Sequence, residues 1–419
     1  MIDITLLRRD KDQLTAALLR RGRADIDVEG LAALDEERRR RRSQAEAQRA
    51  EQKELGSKIA RLSGSEKETA LAEAARLAAA VKRETAEADR LDAAFEASWI
   101  RVPNPPHSSV PDGAGEADNQ EMRRWGEPPT FAYPPLDHLA LGEALGLIDT
   151  GKAAALSGSR FAYLKGKAVE LEFALVRWAL DRLGRAGFTP VAPPVLVREE
   201  ALFGTGFFPD DAEQVYRIEA DDLYLVGTSE VSLAALHADE ILEAASLPIR
   251  YVGFSTCFRR EAGTYGKDTR GIFRVHQFDK LEMFSFAHPQ GSWDEHEFLL
   301  SQEEKLVQEL GIPYRVINVC SADLGASAAK KYDLEAWIPS QAAYREITSC
   351  SNTTDFQARR LKIRFRGERG PELAHTLNGT AVAIGRMLIA LLENNQQPDG
   401  SVRVPEALVP YVSFDRIGG

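Results

Sequence analysis

The stretch that decides the fold runs from Phe258–Glu261 (FRRE) through a loop rich in glycine and charged residues, Ala262–Gly271, into the largely apolar segment Ile272–Phe286. Apolar residues on both sides of a polar, glycine-punctuated loop are typical of two strands joined by a hairpin-like connection. We therefore predict two antiparallel strands with a basic loop between them.

Both predicted strands carry charged side chains, and the second also carries an aromatic ring on the same face. In the returning strand, the two-residue period places Arg274, Phe278 and Glu282 on one face, and Arg259 and Glu261 share a face of the first strand. A cation, an aromatic ring and carboxylates on one sheet surface could hold a phosphate, a nucleobase and an ammonium group. The same residues could also form a salt-bridge ladder on an exposed sheet, and this stretch alone leaves both interpretations open.

A second segment carries an arginine in apolar surroundings. Ala381–Leu392 is apolar on every side of a helix except at Gly385 and Arg386. Such a helix is buried, and an unpaired charge inside it would be very costly. We expect Arg386 either to meet a buried carboxylate or to reach an anionic ligand.

The surrounding region, residues 121–419, alternates helical patterns with strand-like runs in no regular βαβ order. This pattern predicts an α+β domain with a largely antiparallel sheet flanked by helices. It contains neither a Gly-x-x-x-x-Gly-Lys-Ser/Thr phosphate loop nor a Gly-x-Gly-x-x-Gly turn, so any ATP would be held in another way. A proline-rich and glycine-rich segment, residues 101–120, marks a linker before it.

The first 100 residues differ in composition from the rest. Between about residues 28 and 98, seam positions recur at alternating three- and four-residue steps, and Ser63–Ser65 interrupts them. This spacing predicts an antiparallel two-helix coiled-coil arm, with a short helix (about Asp10 to Arg21) near its base.

The first arm helix contains five consecutive arginines: Arg38, Arg39, Arg40, Arg41 and Arg42. They could be a solvated helix face balanced by neighbouring acids, or a surface that contacts phosphates, which guanidinium groups suit well. The run itself does not separate these alternatives.

Composition sets further limits. The 419 residues have a formal net charge of −11, so any nucleic-acid surface must be a local basic patch. Three dispersed cysteines give neither a disulfide framework nor a zinc spacing. No apolar run approaches the roughly 20 residues of a membrane helix, and the N-terminal sequence lacks a signal-peptide pattern. We expect a soluble, cytoplasmic, two-domain protein.

Taken together, the segments resemble a known family. The Arg-x-Glu and Arg-x-x-x-Phe strands, the segment ending in Gly385-Arg386, and the long helix of about Ala168 to Arg185 resemble motifs 2, 3 and 1 of class II aminoacyl-tRNA synthetases. Five strings are similar to bacterial seryl-tRNA synthetases in particular: Gly204–Pro209 (GTGFFP), Asp268–Gly271 (DTRG), Val275–Met283 (VHQFDKLEM), Ser349–Asn352 (SCSN) and His375–Gly379 (HTLNG). The resemblance covers essentially the whole chain.

The resemblance implies roles for individual residues. Serine would be bound by Thr228, Ser229, Glu230, Arg259, Glu282 and Thr380. ATP would be bound by Arg259, Arg260, Glu261, Val275, Phe278, Glu346, Ile347, Thr348, Ser349 and Arg386. Among these, the catalytic residues would be Arg259, Glu261 and Arg386, and Mg²⁺ would be held by Glu346 and Ser349. Ser229, Ser232 and Thr348 depart from the residues that are frequent in the family, which are Ala, Pro and Ser.

The implied activity is ATP-dependent formation of seryl-adenylate, followed by transfer of serine to the 3′ end of serine tRNA by a cytoplasmic homodimer. The N-terminal tRNA-binding domain, residues 1–100, would hold the tRNA through Arg38–Arg42 of its arm (about residues 28–98), and selenocysteine tRNA is a further candidate substrate. One alternative is a paralogue that activates serine or a similar amino acid for a resistance or carrier-protein pathway. Another is a catalytically silent scaffold, although the joint presence of Arg259, Glu282 and Arg386 argues against it.

Overall fold

The computed structural model describes residues 1–263, 266, 268 and 270–418. The chain folds into two units, Asp3–Pro103 and Asn104–Gly419. The loop residues Thr264, Tyr265, Lys267 and Thr269 lie outside the described residues, and with them part of the predicted basic loop and of the DTRG string.

The helices and strands alternate irregularly along the chain. The α-helices are Ile4–Arg9 (α1), Lys11–Arg20 (α2), Val28–Ile59 (α3), Gly64–Trp99 (α4), His138–Ala144 (α5), Thr150–Ser157 (α6), Lys167–Arg185 (α7), Glu199–Thr205 (α8), Glu230–Ala235 (α9), Ser292–Glu309 (α10), Phe356–Leu361 (α11) and Ile384–Asn394 (α12). The strands are Gln120–Trp125 (β1), Ile148–Asp149 (β2), Tyr163–Leu164 (β3), Thr189–Val191 (β4), Leu196–Val197 (β5), Tyr216–Ile218 (β6), Leu223–Leu225 (β7), Ile241–Leu242 (β8), Ile249–Phe258 (β9), Gln277–Ala287 (β10), Tyr314–Asn318 (β11), Lys330–Ile338 (β12), Ala343–Asn352 (β13), Arg364–Gly367 (β14), Gly370–Leu373 (β15), His375–Ala383 (β16), Val402–Arg403 (β17) and Arg416–Ile417 (β18).

In the first unit, α3 and α4 pair as the predicted two-helix arm. Part of the seam is buried, including Leu31, Ala45, Leu77, Ala88 and Phe95. The polar middle of the seam contains an ion pair between the helices, with Arg41 Nη1 2.9 Å from Glu84 Oε2. The three- and four-residue spacing therefore predicted the arm correctly.

The second unit is built on an eight-stranded sheet with the order β1-β11-β12-β13-β16-β10-β9-β4. Every neighbouring pair is antiparallel except β4 and β9, which are parallel. Helices α7, α10 and α12 contact this sheet. The α+β prediction is confirmed.

One face of the central strands forms the core against the helices. Leu281 and Met283 of β10 are fully buried there, with Trp178 of α7 and Leu388 of α12 in the same cluster. The buried residues of α7 recur every three or four positions, and this period turns one stripe of the helix toward the sheet. The opposite face of the sheet is left free to carry polar side chains.

Two β-bulges set which side chains reach that polar face. Ile347 of β13 and Ala381 of β16 are extra residues in their ladders with β12 and β10. Each bulge reverses the alternation of its strand. Glu346 and Ser349, three residues apart, therefore lie on the same face, and Thr380 lies on that face as well.

The two predicted strands around the basic loop are β9 and β10, and their bounds differ from the prediction. β9 ends at Phe258, so Arg259 and Glu261 follow the strand, and Glu261 has a φ of 50°. β10 begins at Gln277, so Phe278 and Glu282 share a face, but Arg274 precedes the strand. The placement of these three charged residues by alternation was wrong, although all three line the cavity described below.

Among the described residues, none of the helices is both long and apolar enough to cross a membrane.

Candidate active site

The polar face of the sheet forms the floor of a cavity of about 340 Å³. The segment that returns from the basic loop and the start of α12 form its walls. Its lining includes Arg259, Glu261, Phe273, Arg274, Val275, Phe278, Lys280, Lys331, Glu346, Ile347, Thr348, Ser349, Thr380 and Arg386. Cations and carboxylates thus converge with an aromatic ring in one concave site, as binding sites for charged ligands do.

Arg259 and Glu261 are held in place at the entrance of this cavity. The Arg259 Nε donates to the main-chain oxygen of Gly227 at 3.1 Å, and its guanidinium lies 5.2 Å from the centre of the Phe278 ring. Glu261 Oε2 accepts from Arg274 Nη1 at 2.8 Å. The guanidinium of Arg259 is thereby oriented over an aromatic ring, with hydrogen-bonding capacity left for a ligand.

Arg386 pairs with a carboxylate, that of Glu346. The sequence predicted either such a partner or an anionic ligand. Arg386 Nη1 lies 3.2 Å from Glu346 Oε1 and donates to the main-chain oxygen of the same residue at 3.0 Å. Its guanidinium lies 5.0 Å from the centre of the Phe273 ring. The side chain is still 22% exposed and faces the cavity, so a structural pair and access to a ligand occur together.

The cations of the site favour the ionised form of Glu346. Burial acts to raise its pKa, but the positive charges of Arg386, Lys331 and Arg259 outweigh burial and lower the pKa to about 2. Burial raises the pKa of the neighbouring Asp333 to about 7, even with Lys331 Nζ 2.9 Å from its Oδ1. An ionised carboxylate surrounded by cations is suited to a ligand that brings both phosphate and a metal ion.

Glu346 and Ser349 together offer a carboxylate and a hydroxyl on one sheet face. This donor set is compatible with Mg²⁺, which proteins bind through one or two carboxylates while substrate phosphates and water complete the octahedron. The described residues contain no cluster of three or more His, Cys, Asp or Glu that could hold a metal by itself. A metal at this position would therefore depend on ligand atoms from a bound phosphate.

Beside the cavity, the buried Glu282 and the partly buried Glu230 form an acidic pocket. Glu282 is 2% exposed and pairs with Lys280, and Thr380 Oγ1 lies 3.5 Å from its Oε2. Glu230 accepts from Gln357 Nε2 at 2.8 Å. Burial, and then the charge of Glu282, raise the pKa of Glu230 to about 7. The acidic pocket, Glu230 and Glu282, would attract an ammonium group and has hydrogen-bond partners for a hydroxyl.

Several side chains named from the sequence point elsewhere. Thr228 Oγ1 accepts from the main-chain N–H of Glu230, and Ser229 is fully buried with its Oγ 3.5 Å from the Gly253 oxygen. Arg260 is exposed and lies over the ring of Tyr216. Ile347 belongs to the core, and Thr348 donates to Glu303 behind the sheet. The bulge in β13 turns these last two side chains inward, so they can offer only main chain to the cavity.

Among the cavity residues that were not singled out in the sequence, Lys280, Lys331 and Phe273 act on its charged groups. Lys280 neutralises Glu282, Lys331 acts on Glu346, and Phe273 supports Arg386. Lys280 could have been found, because it shares the alternating face of Phe278 and Glu282. Lys331 could not, because only the pairing of β12 with β13 brings it to the site.

In the separate arm unit, every member of the arginine run has a carboxylate partner. Arg38 pairs with Asp35 and Asp92, Arg39 with Asp35, Arg40 with Glu37, Arg41 with Glu37 and Glu84, and Arg42 with Asp89 and Asp92. The side chains of Arg39, Arg40 and Arg42 are 53%, 58% and 42% exposed. The run is thus an ion-pair network with an exposed outer row.

Both parts of the chain match family models. Residues 214–395 match the tRNA synthetase class II core domain (G, H, P, S and T), and residues 1–106 match the seryl-tRNA synthetase N-terminal domain. The chain is also 55% identical to the serine–tRNA ligase of Acidothermus cellulolyticus over 99% of both chains. It belongs to the seryl-tRNA synthetase family. The serine–tRNA ligase of Thermobifida fusca is 50% identical over 99% of this chain and 98% of its own.

Solved structures of seryl-tRNA synthetases share this fold over the whole chain. The Pyrococcus horikoshii enzyme complexed with ATP has a TM-score of 0.95 and 42% identity, covering 100% of this chain and 99% of that one. The Naegleria fowleri cytoplasmic serine–tRNA ligase in complex with AMP has a TM-score of 0.88 and 33% identity, with 100% and 98% covered. These full-length matches support a serine–tRNA ligase in translation and not the paralogue alternative.

The three departures from the usual family residues lie away from the ligand-facing groups. Ser229 is directed at Gly253, and Ser232 Oγ donates to the Pro194 oxygen at 2.6 Å. Thr348 keeps the hydroxyl that a serine would supply and uses it toward Glu303. None of these substitutions removes a charged group of the cavity.

Proposed function

We propose that this synthetase activates L-serine with ATP at the cavity and transfers it to the terminal ribose of serine tRNA. One observation carries the proposal: the cations Arg259 and Arg386 line one cavity with the ionised Glu346, and the sheet face that carries Glu346 also carries Glu282 of the acidic pocket. The site therefore places groups for a polyphosphate next to groups for an amino acid.

In the first step, the serine carboxylate attacks the α-phosphorus of ATP. A C–O–P bond forms, the bond to the bridging oxygen breaks, and pyrophosphate leaves. The nucleophile is already ionised at neutral pH, so no general base is required. Arg259 would hold the carboxylate and the α-phosphate, with Glu261 on the adenine side, and Arg386 would neutralise the charge of the leaving pyrophosphate. Positioning and charge stabilisation then supply the catalysis.

Mg²⁺, held by Glu346 and Ser349 together with ATP oxygens, would neutralise phosphate charge during this step. Phe278 offers its ring face to the adenine base. Val275, Ile347 and Thr348 would contribute their neighbouring surface and main chain.

The acidic pocket accounts for the choice of serine. Glu282 would exchange Lys280 for polar groups of the substrate, and Thr380 lies next to it for the side-chain hydroxyl. Alanine would leave these buried groups unpaired, which is the more effective basis for rejection, and threonine would be excluded by volume.

In the second step, a terminal ribose hydroxyl of the tRNA attacks the adenylate carbonyl and AMP leaves. The outer arginines of the arm would contact tRNA phosphates by giving up carboxylate partners. Exposed pairs of this kind contribute only about 0–1 kcal/mol each, so the exchange costs little. Serine tRNA is the proposed substrate, and selenocysteine tRNA a second candidate.

We also propose a cytoplasmic homodimer. α7 presents Phe173, whose residue surface is 61% exposed, and Leu156 on α6 is 72% exposed. Leu156 lines one concave surface together with Val169 of α7, which lies one helical turn before Phe173. Neighbouring exposed apolar residues are typical of a surface that a partner covers. Sedimentation of the parent as twice the chain's mass, and of Phe173→Glu as a single chain, would support a second copy at this surface.

The proposed function is tested by Arg386→Ala, with Arg315→Ala as its matched control. Arg315 pairs with Glu335 at 2.6 Å on the same sheet but is not part of the cavity lining. We expect Arg386→Ala to reduce serine-dependent pyrophosphate exchange by about 100-fold or more, with an unchanged unfolding midpoint. A loss of folding without a separable loss of activity would assign Arg386 to structure alone.

A further inference from the structure

A buried histidine outside the cavity connects the helix that carries Arg386 to the segment on which Arg386 rests. His138 begins α5 and is 6% exposed. Its Nδ1 lies 3.1 Å from Glu393 Oε1, and its Nε2 lies 3.3 Å from the main-chain nitrogen of Ile272. Glu393 is fully buried on α12, about two turns after Arg386.

These contacts define the tautomer of the His138 ring. The main-chain N–H of Ile272 can only donate, so Nε2 accepts and the ring proton lies on Nδ1, which donates to Glu393. The Glu393 carboxylate also accepts from the main-chain N–H groups of His138 at 2.9 Å and Ser340 at 3.0 Å. The ring is thereby fixed both in its tautomer and in its orientation.

The contact depends on a close approach between the ring and the main chain. Gly271 has a φ of +79°, and a Cβ atom at this position would lie 2.0 Å from His138 Nε2. A glycine is therefore required at the point where the basic loop returns to the cavity. His138 touches the described end of that loop directly.

Phe273, the residue after Ile272, supports Arg386. The ring of Phe273 lies 5.0 Å from the Arg386 guanidinium and 4.2 Å from that of Arg345. Ile272 and Phe273 both line the cavity. The contacts form a closed circuit from α12 through Glu393, His138 and Ile272–Phe273 back to Arg386 on α12.

We propose that His138, oriented by Glu393, is a positioning residue for ATP: it fixes Ile272 and Phe273 so that Arg386 is preorganised over the cavity. The proposal rests on the proposed function in one respect, namely that this cavity binds ATP. It assigns no contact between His138 and the substrate. The acidic pocket, which lies on β10 and at the start of α9, is not part of the circuit.

Two substitutions separate the two hydrogen bonds of the ring. His138→Asn keeps an N–H donor near the Nδ1 position for Glu393 but is too short to reach Ile272. His138→Gln places an amide oxygen near the Nε2 position and can accept from Ile272. His237→Ala is the matched control, since His237 also bridges a glutamate (Glu240, 2.8 Å) and another element (Tyr251 Oη, 2.9 Å) but does not line the cavity.

The measurement is the Kd for ATP and for serine by calorimetry, each determined separately, with the unfolding midpoint of every variant. We expect His138→Asn to weaken ATP binding about tenfold, with the Kd for serine unchanged, and His138→Gln to stay close to the parent. Equal ATP affinities for the two variants, or a parallel loss of serine affinity, would overturn the proposal. If His138→Asn does not fold, Phe273→Leu replaces it, because it removes the support of Arg386 without touching His138. An unchanged ATP affinity in that variant would equally overturn the proposal.

The same data separate this proposal from the proposed function. A parent that binds ATP but shows no serine-dependent pyrophosphate exchange would refute the proposed function. The comparison of ATP affinities between the His138 variants would still decide the positioning role.

Discussion

At the scale of single residues, the acidic pocket gives the most specific prediction, which concerns the affinity for serine. Glu282→Gln should weaken serine binding by about 10- to 100-fold, because a charged hydrogen bond to the substrate is lost, and should leave the Kd for ATP nearly unchanged. Equal losses for both ligands would show that Glu282 serves another part of the site.

Glu303→Gln is the matched control for this substitution. Glu303 is fully buried on the opposite face of the same sheet, and burial raises its pKa well above the ordinary value. Because burial disfavours the charged form of this carboxyl and Glu303 does not line the cavity, this variant should bind serine like the parent.

The second residue-scale prediction concerns pH. The pKa of Glu230 rises from 4.5 to about 7 on folding. Its contribution to stability is therefore fully present below pH 4.5 and is lost as the pH rises through 7. Between pH 5 and 8, the parent should lose on the order of 1–3 kcal/mol of unfolding free energy relative to Glu230→Gln. Denaturant titrations across this range give the difference, and parallel curves for the two proteins would contradict the raised pKa.

The sequence correctly predicted which residues need a charged partner. It did not predict which distant residue supplies that partner, because this depends on how the strands pair. The apolar surroundings of Arg386 required an anionic partner, but nothing local identified Glu346, which lies 40 positions earlier and reaches Arg386 only through a bulged strand. Arg274 was misplaced because the two-residue alternation holds only inside a strand, and β10 begins three residues after it.

At the scale of elements, the arm provides the test of tRNA binding. Replacing Arg39, Arg40 and Arg42 with glutamine preserves helix propensity and should leave the seam pair of Arg41 and Glu84 intact. If these three residues contact phosphates, the affinity for serine tRNA should fall, and its logarithm should depend less steeply on salt, by about 0.7–0.9 per lost contact.

The matched control for the arm replaces Arg76 and Arg90 on α4. These residues are also exposed and are paired with glutamates one turn away. The control should leave both affinity and salt dependence unchanged. Identical salt slopes for the parent and the triple variant would mean that the arginine run is only an ion-paired helix face.

The elements themselves were predictable to different degrees. The arm helices, Val28–Ile59 and Gly64–Trp99, agree with the predicted range and break to within about three residues, because helix packing sets the spacing of the seam residues. α7 was equally clear, with Lys167–Arg185 against a predicted Ala168 to Arg185. The two β-bulges leave no trace in the composition of β13 and β16, although they decide that Glu346, Ser349 and Thr380 face the cavity together.

At the scale of the whole molecule, the α+β class followed from the irregular alternation of helical and strand-like runs, and the family followed from the motifs and their order. Neither depends on the precise bounds of a strand. What the sequence could not supply is the pairing of distant segments: the eight-stranded order places β16 between β13 and β10, and only this order brings Arg386 and Glu346 close to the acidic pocket. Such long-range pairing has no local signature.

Serine-dependent pyrophosphate exchange, measured with the parent protein and each of the twenty amino acids in turn, tests the central claim most directly. It depends on the whole cavity, since both the polyphosphate groups and the acidic pocket must act together. We expect exchange with serine and only background exchange with alanine and threonine, because alanine leaves Glu282 and Thr380 unpaired and threonine is too large. Exchange that is greatest with another amino acid, or absent with all twenty, would contradict the claim that this cavity activates serine.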